Sequence, residues 1–170
     1  MKRTAKKKLF AVLGFFTQLL PDYGWGIRLR GMAYEPFLGA CGRNFKMGIG
    51  AHIYNPDGVF VGDDVYIGFH AYLGDGQIFI EDEVVVGPFC AIAGGNHLMK
   101  DGSVRFGGYE YKPVRIGRGT WLAAHCTVTP GVTVAQGNII AAGAVVTGDT
   151  EPHCLYAGVP AVKIKKLSWT

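Results

Sequence analysis

Residues 61–93 read VGDDVYIGFHAYLGDGQIFIEDEVVVGPFCAIA, and residues 116–150 read IGRGTWLAAHCTVTPGVTVAQGNIIAAGAVVTGDT. Both stretches repeat themselves every six residues. A branched aliphatic opens each unit: Val61, Ile67, Leu73, Ile80, Val86 and Ile92, then Ile116, Leu122, Val128, Val134, Ile140 and Val146. Four places later comes a slim side chain: Val65, Ala71, Val84, Cys90, Thr120, Cys126, Val132, Asn138 and Ala144. A fixed period of this length marks a β-helix solenoid. One inward aliphatic per unit stacks coil on coil into apolar columns, because a single coil cannot bury its own apolar face. The slim residue fits where a corner narrows, and a glycine or small residue at the second place is expected to let the backbone turn. The one-residue slip between Leu73 and Ile80 is expected as a bulge or a longer corner. An amphipathic helix would show a 3.6 period and a β-sandwich irregular turn spacing, so the fold class expected is all-β.

Composition agrees. The chain has 170 residues and 18.3 kDa, enough for one domain with a sizeable core. The net charge of +4 gathers at the ends, in Lys2, Arg3, Lys6, Lys7 and Lys8 and in Lys163, Lys165 and Lys166. The repeats between are close to neutral and lack the basic face, interleaved with aromatics, that a nucleic-acid partner requires. Cys41, Cys90, Cys126 and Cys154 have no metal-ligand spacing. Two of them occupy slim places, so buried, reduced thiols in a cytoplasmic protein are expected.

Residues 9–20 are apolar apart from Gly14, Thr17 and Gln18. No small-residue cleavage site follows, and the run is too short to cross a bilayer. Leu9, Leu13, Phe16 and Leu20 share a face at helical spacing. Either that face packs on the solenoid or a neighbouring subunit, or the basic amphipathic helix attaches peripherally to an anionic membrane. Residues 21–42 read as a polar, glycine-rich lead-in that edges or caps the first coil.

Further motifs narrow the class. Gly95-Asn96-His97 ends a coil, and a polar excursion runs over residues 98–113. Then come Val114-Arg115-Ile116-Gly117, Trp121, Thr129-Pro130-Gly131-Val132-Thr133-Val134 and the exit Tyr156-Ala157-Gly158-Val159-Pro160-Ala161. Over about residues 43–167 this ordered set resembles the hexapeptide-repeat acyltransferases, and among them the galactoside, maltose and polysaccharide O-acetyltransferases. The resemblance implies a left-handed parallel β-helix, a homotrimer with active sites between subunits, and acetyl-CoA as donor with no metal required. The domain organisation expected is a helix and cap over 1–42, the β-helix with its excursion over 43–160, and a basic tail over 161–170.

The implied reaction moves acetyl from a thioester to a sugar hydroxyl, which needs a base that works near neutral pH, as histidine does. His97 stands where a regular unit gives way to the excursion, behind Gly94 and Gly95, and matches the family's catalytic histidine. His52, His70 and His125 read as outward, fourth-place residues, with His125 a secondary candidate near Trp121; His153 lies in the exit segment. Asp75 matches a family carboxylate that accepts hydroxyls of the acceptor, while an Asp-Gly turn explains it equally as structure. Asn96 would orient the acceptor or the excursion. For the donor, the resemblance implies contacts at Ala124, Ala142, Thr147 and Gly148, with Lys165 near the coenzyme's phosphates. Trp121 would sit near the pantetheine end or fill a subunit interface.

Departures from the family are visible too. Ile67 stands where simple sugar acetyltransferases carry an acceptor-binding asparagine, so the acceptor pocket differs from theirs. Val162, beside Lys163, replaces a family arginine. Lys100, Arg105, Tyr109, Tyr111 and Lys112 on the excursion would grip a sugar or contact a neighbouring subunit. No Gly-x-Ser-x-Gly elbow exists, and the only serines are Ser103 and Ser168, so direct transfer is favoured. The function expected is O-acetylation of a sugar or glycan in surface-polysaccharide biosynthesis. The alternatives are N-acetylation of an amino or nucleotide-linked sugar or an antibiotic, a non-catalytic scaffold, and a carbonic anhydrase-like trimer using His52, His70 and His125.

Overall fold

In the computed structural model, which describes residues 3–168, the six-residue units become short strands joined by tight corners. The first coil holds β1 (Ala40–Cys41), β2 (Lys46–Met47) and β3 (His52–Ile53), and the second β4 (Val59–Val61), β5 (Tyr66–Ile67) and β6 (Tyr72–Leu73). The third holds β7 (Ile78–Ile80), β8 (Val85–Val86) and β9 (Ala91–Ile92), after which β10 (Gly95–His97) and β11 (Tyr109–Tyr111) form the excursion. The fourth holds β12 (Val114–Ile116), β13 (Trp121–Leu122) and β14 (Thr127–Val128), and the fifth β15 (Thr133–Val134), β16 (Ile139–Ile140) and β17 (Val145–Val146). β18 (Cys154–Ala157) begins a sixth turn, and β19 (Val162–Lys166) folds back on it antiparallel. Equivalent strands pair across coils into three faces: β1-β4-β7-β12-β15, β2-β5-β8-β13-β16-β18-β19 and β3-β6-β9-β14-β17. The expected all-β solenoid is what forms.

The aliphatic columns fill its interior. Ile67, Leu73, Val86, Ile92, Ile116, Leu122, Val128, Val134 and Ile140 expose nothing, and every slim-place residue is buried. The thiols of Cys90 and Cys126 donate to the carbonyls of Ala123 (2.9 Å) and Ala141 (3.1 Å), and all four cysteines are free. Asn138 is slim but also bonded. Its Oδ1 accepts the Cys154 N–H at 2.8 Å and its amide donates to Thr150 Oγ1 at 2.6 Å, tying the fifth coil to the sixth turn.

The second-place glycines do a different job from the one expected. Positive φ falls two residues later, at Asp64, His70, Glu83, Phe89, His125 and Gly143. The second-place glycines allow coils to approach: a Cβ on Gly87 would lie 2.7 Å from the Leu122 carbonyl oxygen. His70 and His125 occupy left-handed turns, and their rings stack on either side of Phe89 at 5.6 and 4.9 Å. That stacking offsets part of the steric cost of a side chain at positive φ. His52 is not a fourth-place residue. It precedes Ile53 on β3 and stacks on Tyr72 at 5.8 Å.

Two corners keep the six-residue step in every coil. The corner from the third face to the first does not: Ile53 to Val61 is eight residues, Leu73 to Ile80 seven, Ile92 to Ile116 twenty-four, and Val128 to Val134 six. The slip is therefore a longer corner over residues 74–77, with Gly76 at φ 91°. All length variation gathers along one edge of the prism.

The expected N-terminal helix forms as α1 (Arg3–Thr17). The lead-in after it is more ordered than expected: it contains α2 (Trp25–Tyr34) and a 3-10 turn at Glu35–Phe37, and the solenoid starts at Ala40, ahead of residue 43. α2 lies against the first coil so closely that a Cβ on Gly31 would strike the Phe45 carbonyl. Arg30 is fully buried there and donates to the carbonyls of Met47 (2.7 Å), Leu20 (2.8 Å) and Thr17 (3.2 Å). Burial lowers its pKa, and Asp22 at 3.3 Å opposes that shift. The Gln18 and Asp22 side chains accept the N–H groups of Gly50 and Ile49, each at 2.6 Å. The helices thus cap the solenoid's open edge.

α1 docks through Phe10, Gly14 and Thr17, and the face Leu9, Leu13, Phe16 and Leu20 is only partly covered, with Leu13 and Leu20 half-buried. The Phe10 ring meets Tyr34 at 5.1 Å and Phe37 at 5.3 Å, while Leu9 and Phe16 stay exposed. Glycine decides the face: the Tyr34 hydroxyl sits 3.0 Å from where a Cβ on Gly14 would be, so a larger side chain would hold the helices apart. Lys2 of the basic run lies outside the described residues. The basic tail is not loose, since β19 pairs with β18.

Candidate active site

The excursion is a hairpin rooted at the irregular edge. β10 and β11 pair antiparallel, setting Gly95 opposite Tyr111, Asn96 opposite Glu110 and His97 opposite Tyr109. Side chains alternate along a strand, so His97, Tyr109 and Tyr111 share one face and Asn96 takes the other. The His97 and Tyr109 rings lie 4.5 Å apart, and Tyr109 stacks on Tyr111 at 6.2 Å. Tyr111 Oη donates to Asp75 Oδ2 at 2.9 Å, while Asp75 Oδ1 accepts the Gly76 N–H at 2.8 Å. That hydrogen bond, together with the carboxylate charge, holds the Tyr111 hydroxyl above its usual pKa range. The Asp75 carbonyl accepts the Gly94 N–H at 2.9 Å, joining the hairpin root to the corner. A cleft of about 390 Å³ opens here, lined by Asn55, Asp75, Gly76, Gln77, Tyr111 and Pro113.

The structure therefore brings Asp75 and His97 to one edge, through Tyr109 and Tyr111. The sequence placed Tyr109 and Tyr111 on the excursion, but their joining of His97 to Asp75, a contact spanning thirty-six residues, carried no sequence signal, and neither did Asn55 or Gln77. Lys112 pairs with Glu110 at 3.1 Å, and Lys100 and Ser103 bond each other's backbone further out.

The donor candidates lie elsewhere. Trp121 sits half-exposed on β13, between Val85 and Ile139 of the neighbouring coils. Ala124 and Ala142 occupy the corners that leave β13 and β16, and Lys165 is exposed on β19 of the same face. Thr147 and Gly148 follow β17, on the edge that carries His97. One chain does not bring Trp121, Ala124, Ala142 and Lys165 to His97. Small side chains at these corners leave room for an extended ligand: a Cβ on Gly143 or Gly148 would meet nothing within 4 Å.

Cys90, Cys126 and Cys154 are buried inside the solenoid, out of reach of an acceptor. The hydrogen bond between Cys90 and Cys126 lowers the pKa of the first thiol and, with burial, raises that of the second, and Cys41 is raised to about 11, chiefly by burial. Among the described residues, no three His, Cys, Asp or Glu side chains converge to hold a metal.

Residues 113–148 match the family described as bacterial transferase hexapeptide (six repeats). An inferred acetyltransferase of Saccharomyces cerevisiae (strain ATCC 204508 / S288c) is 31% identical over 133 residues, covering 77% of this chain and 67% of that protein. The chain belongs to the hexapeptide-repeat transferase family. An inferred acetyltransferase of Staphylococcus aureus (strain COL) is 38% identical over 110 residues, 64% of this hexapeptide-repeat chain but 55% of the relative, so the chain spans about half that protein's length. Among solved structures, a maltose O-acetyltransferase from Clostridium difficile 630 shares the fold with a TM-score of 0.82 at 25% identity, over 99% of this chain and 87% of that one. A galactoside acetyltransferase in complex with coenzyme A gives 0.85 at 22% identity, over 97% and 82%.

Proposed function

We propose that this chain transfers acetyl from acetyl-CoA to a sugar hydroxyl, with His97 as general base. The observation that carries the reading is the meeting of His97, Asp75, Tyr109 and Tyr111 beside an open cleft, at the one edge where the repeat is interrupted. The donor supplies the activated acetyl group as a thioester. His97 takes the acceptor's hydroxyl proton while the oxygen bonds to the acetyl carbon, and returns that proton to the sulfur as the C–S bond breaks. Asp75 keeps lone pairs beyond its bonds to Tyr111 and Gly76, and accepts hydroxyls of the sugar. Asn96, on the other face of β10, orients the excursion rather than the acceptor.

A donor lying along Trp121, Ala124 and Ala142, with its phosphates at Lys165, is on the wrong edge for His97 of the same chain. This favours a homotrimer in which each site combines two neighbouring copies. Thr147 and Gly148 would line the His97 side of that groove. Lys165 offers a point charge without the bidentate fork of arginine.

A role in surface-polysaccharide or lipid-linked glycan synthesis is supported by α1. Val12, Phe15, Phe16 and Leu19 form an exposed stripe at helical spacing, away from the docked face, on a segment whose sequence also carries Lys6, Lys7 and Lys8. Such a face suits peripheral attachment to an anionic membrane. Among the described residues no helix is long and apolar enough to cross one.

Thiol release from acetyl-CoA, followed with a panel of sugars and amino sugars and with product masses, tests the reading. His97→Ala is expected to keep its fold and its affinity for coenzyme A and to lose roughly 10²–10⁴-fold in turnover. Near-full turnover in that variant overturns His97 as base. Mass gain on amino groups alone overturns O-transfer.

A further inference from the structure

A separate cavity of about 560 Å³ lies under α1, against the corner that joins the second and third faces in the first two coils. Its size falls in the range of small-molecule pockets, about 300–1,000 Å³. Phe10, Phe15 and Tyr34 wall it on the helical side, and Ile49, Ala51 and Phe69 on the solenoid side. Gln18 also lines it, but its side-chain oxygen already accepts the Gly50 N–H at 2.6 Å. Rings and aliphatic carbon therefore make most of the wall, which suits hydrocarbon. Two features tie this cavity to acetyl transfer. The first is the corner itself, which two to three coils further along carries Ala124 and Ala142. Rings bridge the interval: Phe69 meets Phe89 at 5.4 Å, and His70, Phe89 and His125 stack at 5.6 and 4.9 Å. At about 4.8 Å per coil, His70 at the cavity stands roughly 10 Å from Ala124, about the reach of a disaccharide. The second is Phe15, which lines the cavity and is also 70% exposed in the stripe Val12, Phe15, Phe16 and Leu19. The cavity thus opens beside the surface suited to a membrane, and an apolar path runs from that surface to the donor corner.

We propose that this cavity holds the hydrocarbon chain of the acceptor, which makes the acceptor a glycolipid. The chain lies under α1, the sugar rests along the rings of the corner, and the reacting hydroxyl meets the acetyl group between this corner and the His97 edge of a neighbouring copy. The proposal rests on the sugar-acceptor reading above and adds an apolar tail to it. A free sugar has no use for a continuous apolar path from a membrane-facing stripe, whereas a lipid-borne one needs it. Ala11 lines the cavity from an exposed position on α1, outside the contacts that dock the helix, and serves as the probe.

The full chain is assayed with acetyl-CoA and with methyl, butyl, hexyl and octyl β-glucosides and β-galactosides, each below its micelle concentration. The expected result in one series is a kcat/KM that rises about two- to fourfold per added methylene, through KM, as chain carbon leaves water. Ala11→Trp fills the cavity, and Ala11→Glu sets a charge on its wall. Both are expected to flatten the series, with turnover of the methyl glycoside, circular dichroism and coenzyme A affinity unchanged. A chain-length gain that survives both substitutions overturns the cavity as the seat of the tail. Equal turnover of methyl and octyl glycosides also overturns it, and leaves the sugar-acceptor reading standing. In that case a change of assembly mass in Ala11→Trp, read by light scattering, assigns the cavity to a neighbouring copy. Acetyl transfer to non-sugar acceptors only, with every glycoside inert, overturns both readings.

Discussion

Arg30 is the residue on which the helical cap turns, and Arg30→Met isolates its contribution. Methionine keeps an apolar stem and removes every donor. The Thr17 carbonyl would still accept the Leu20 N–H at 3.2 Å, and Leu20 is only half-buried, so its carbonyl can turn to water. Asp22 is exposed and keeps the Ile49 N–H at 2.6 Å, so losing the guanidinium costs it at most about 1 kcal/mol. The loss concentrates on the Met47 carbonyl, whose 2.7 Å donor sits inside the interface between α2 and β2. Leaving a buried acceptor unmade costs about 1–3 kcal/mol. Replacing a whole buried ion pair by apolar residues is often neutral, but here the partners are backbone carbonyls that remain. The net expectation is about 1–4 kcal/mol, confined to the cap because solenoid coils contact only their neighbours. Hydrogen exchange read by mass spectrometry should show α1, α2 and the first coil opening about 5- to 1,000-fold more often, with the fourth and fifth coils unchanged. Arg30→Lys should fall between, since an ammonium lacks the planar fork that spans three carbonyls. Cap exchange within threefold of the parent protein would refute the reasoning, as would an equal loss of protection in every coil.

Two glycines with opposite roles give a stability contrast. Gly87→Ala places a Cβ 2.7 Å from the Leu122 carbonyl oxygen and should cost about 1–3 kcal/mol in urea unfolding, whereas Gly143→Ala meets open space at φ 73° and should cost about 1–2 kcal/mol from backbone strain alone. Relief of strain at Gly143 by asparagine but not alanine is expected, and no such rescue at Gly87; matching behaviour at the two sites contradicts the assignment. Lys165→Ala should weaken donor binding several-fold at low salt and reduce its salt dependence; dephospho-coenzyme A thioesters that bind as well as the normal donor would remove this role. The protein should float with anionic but not neutral vesicles, and the exposed pair Phe15→Ser with Leu19→Ser should abolish that while leaving the fold intact. An intact protein that never floats assigns the stripe to a protein neighbour instead.

The fold was legible because it is periodic. Every column residue from Val61 to Val146 carries its own address, and burial follows that address coil after coil. The same logic misled at the second-place glycines, where a spacing constraint between coils looks identical in sequence to a turning constraint within one. The cap was less legible, since its docking depends on non-periodic details. Gly14 lets α2 approach α1, and Arg30, which any composition rule assigns to the surface, is buried because three carbonyls point at it. Of the candidate site, His97 and Asp75 were readable by position, while Tyr111 is joined to Asp75 only through the hairpin, a contact spanning thirty-six residues.

Why the chemistry gathers at one edge follows from the repeat itself. Stacked coils force their corners into register, so an insertion within a stack must either propagate or leave the prism. At two corners the six-residue step never changes, and side chains there stack in ladders such as His70, Phe89 and His125. At the third corner the step is eight, then seven, then twenty-four residues, and the ladder is broken three times in succession. Each break leaves backbone free of the stacking constraint and able to present side chains outward. Asn55 comes from the first break, Asp75 and Gln77 from the second, and Tyr111 from the third, on the hairpin that also carries His97, which is why a single cleft can be lined by residues from three coils. The proposed donor contacts Ala124 and Ala142 lie instead on a regular corner, in its last two coils, where Ala124, Ala142 and Gly143 leave space beside the end of the His70–Phe89–His125 ladder. The irregular edge and the regular corner lie on different edges of one chain, which is why the proposed reading draws its complete site from two neighbouring copies.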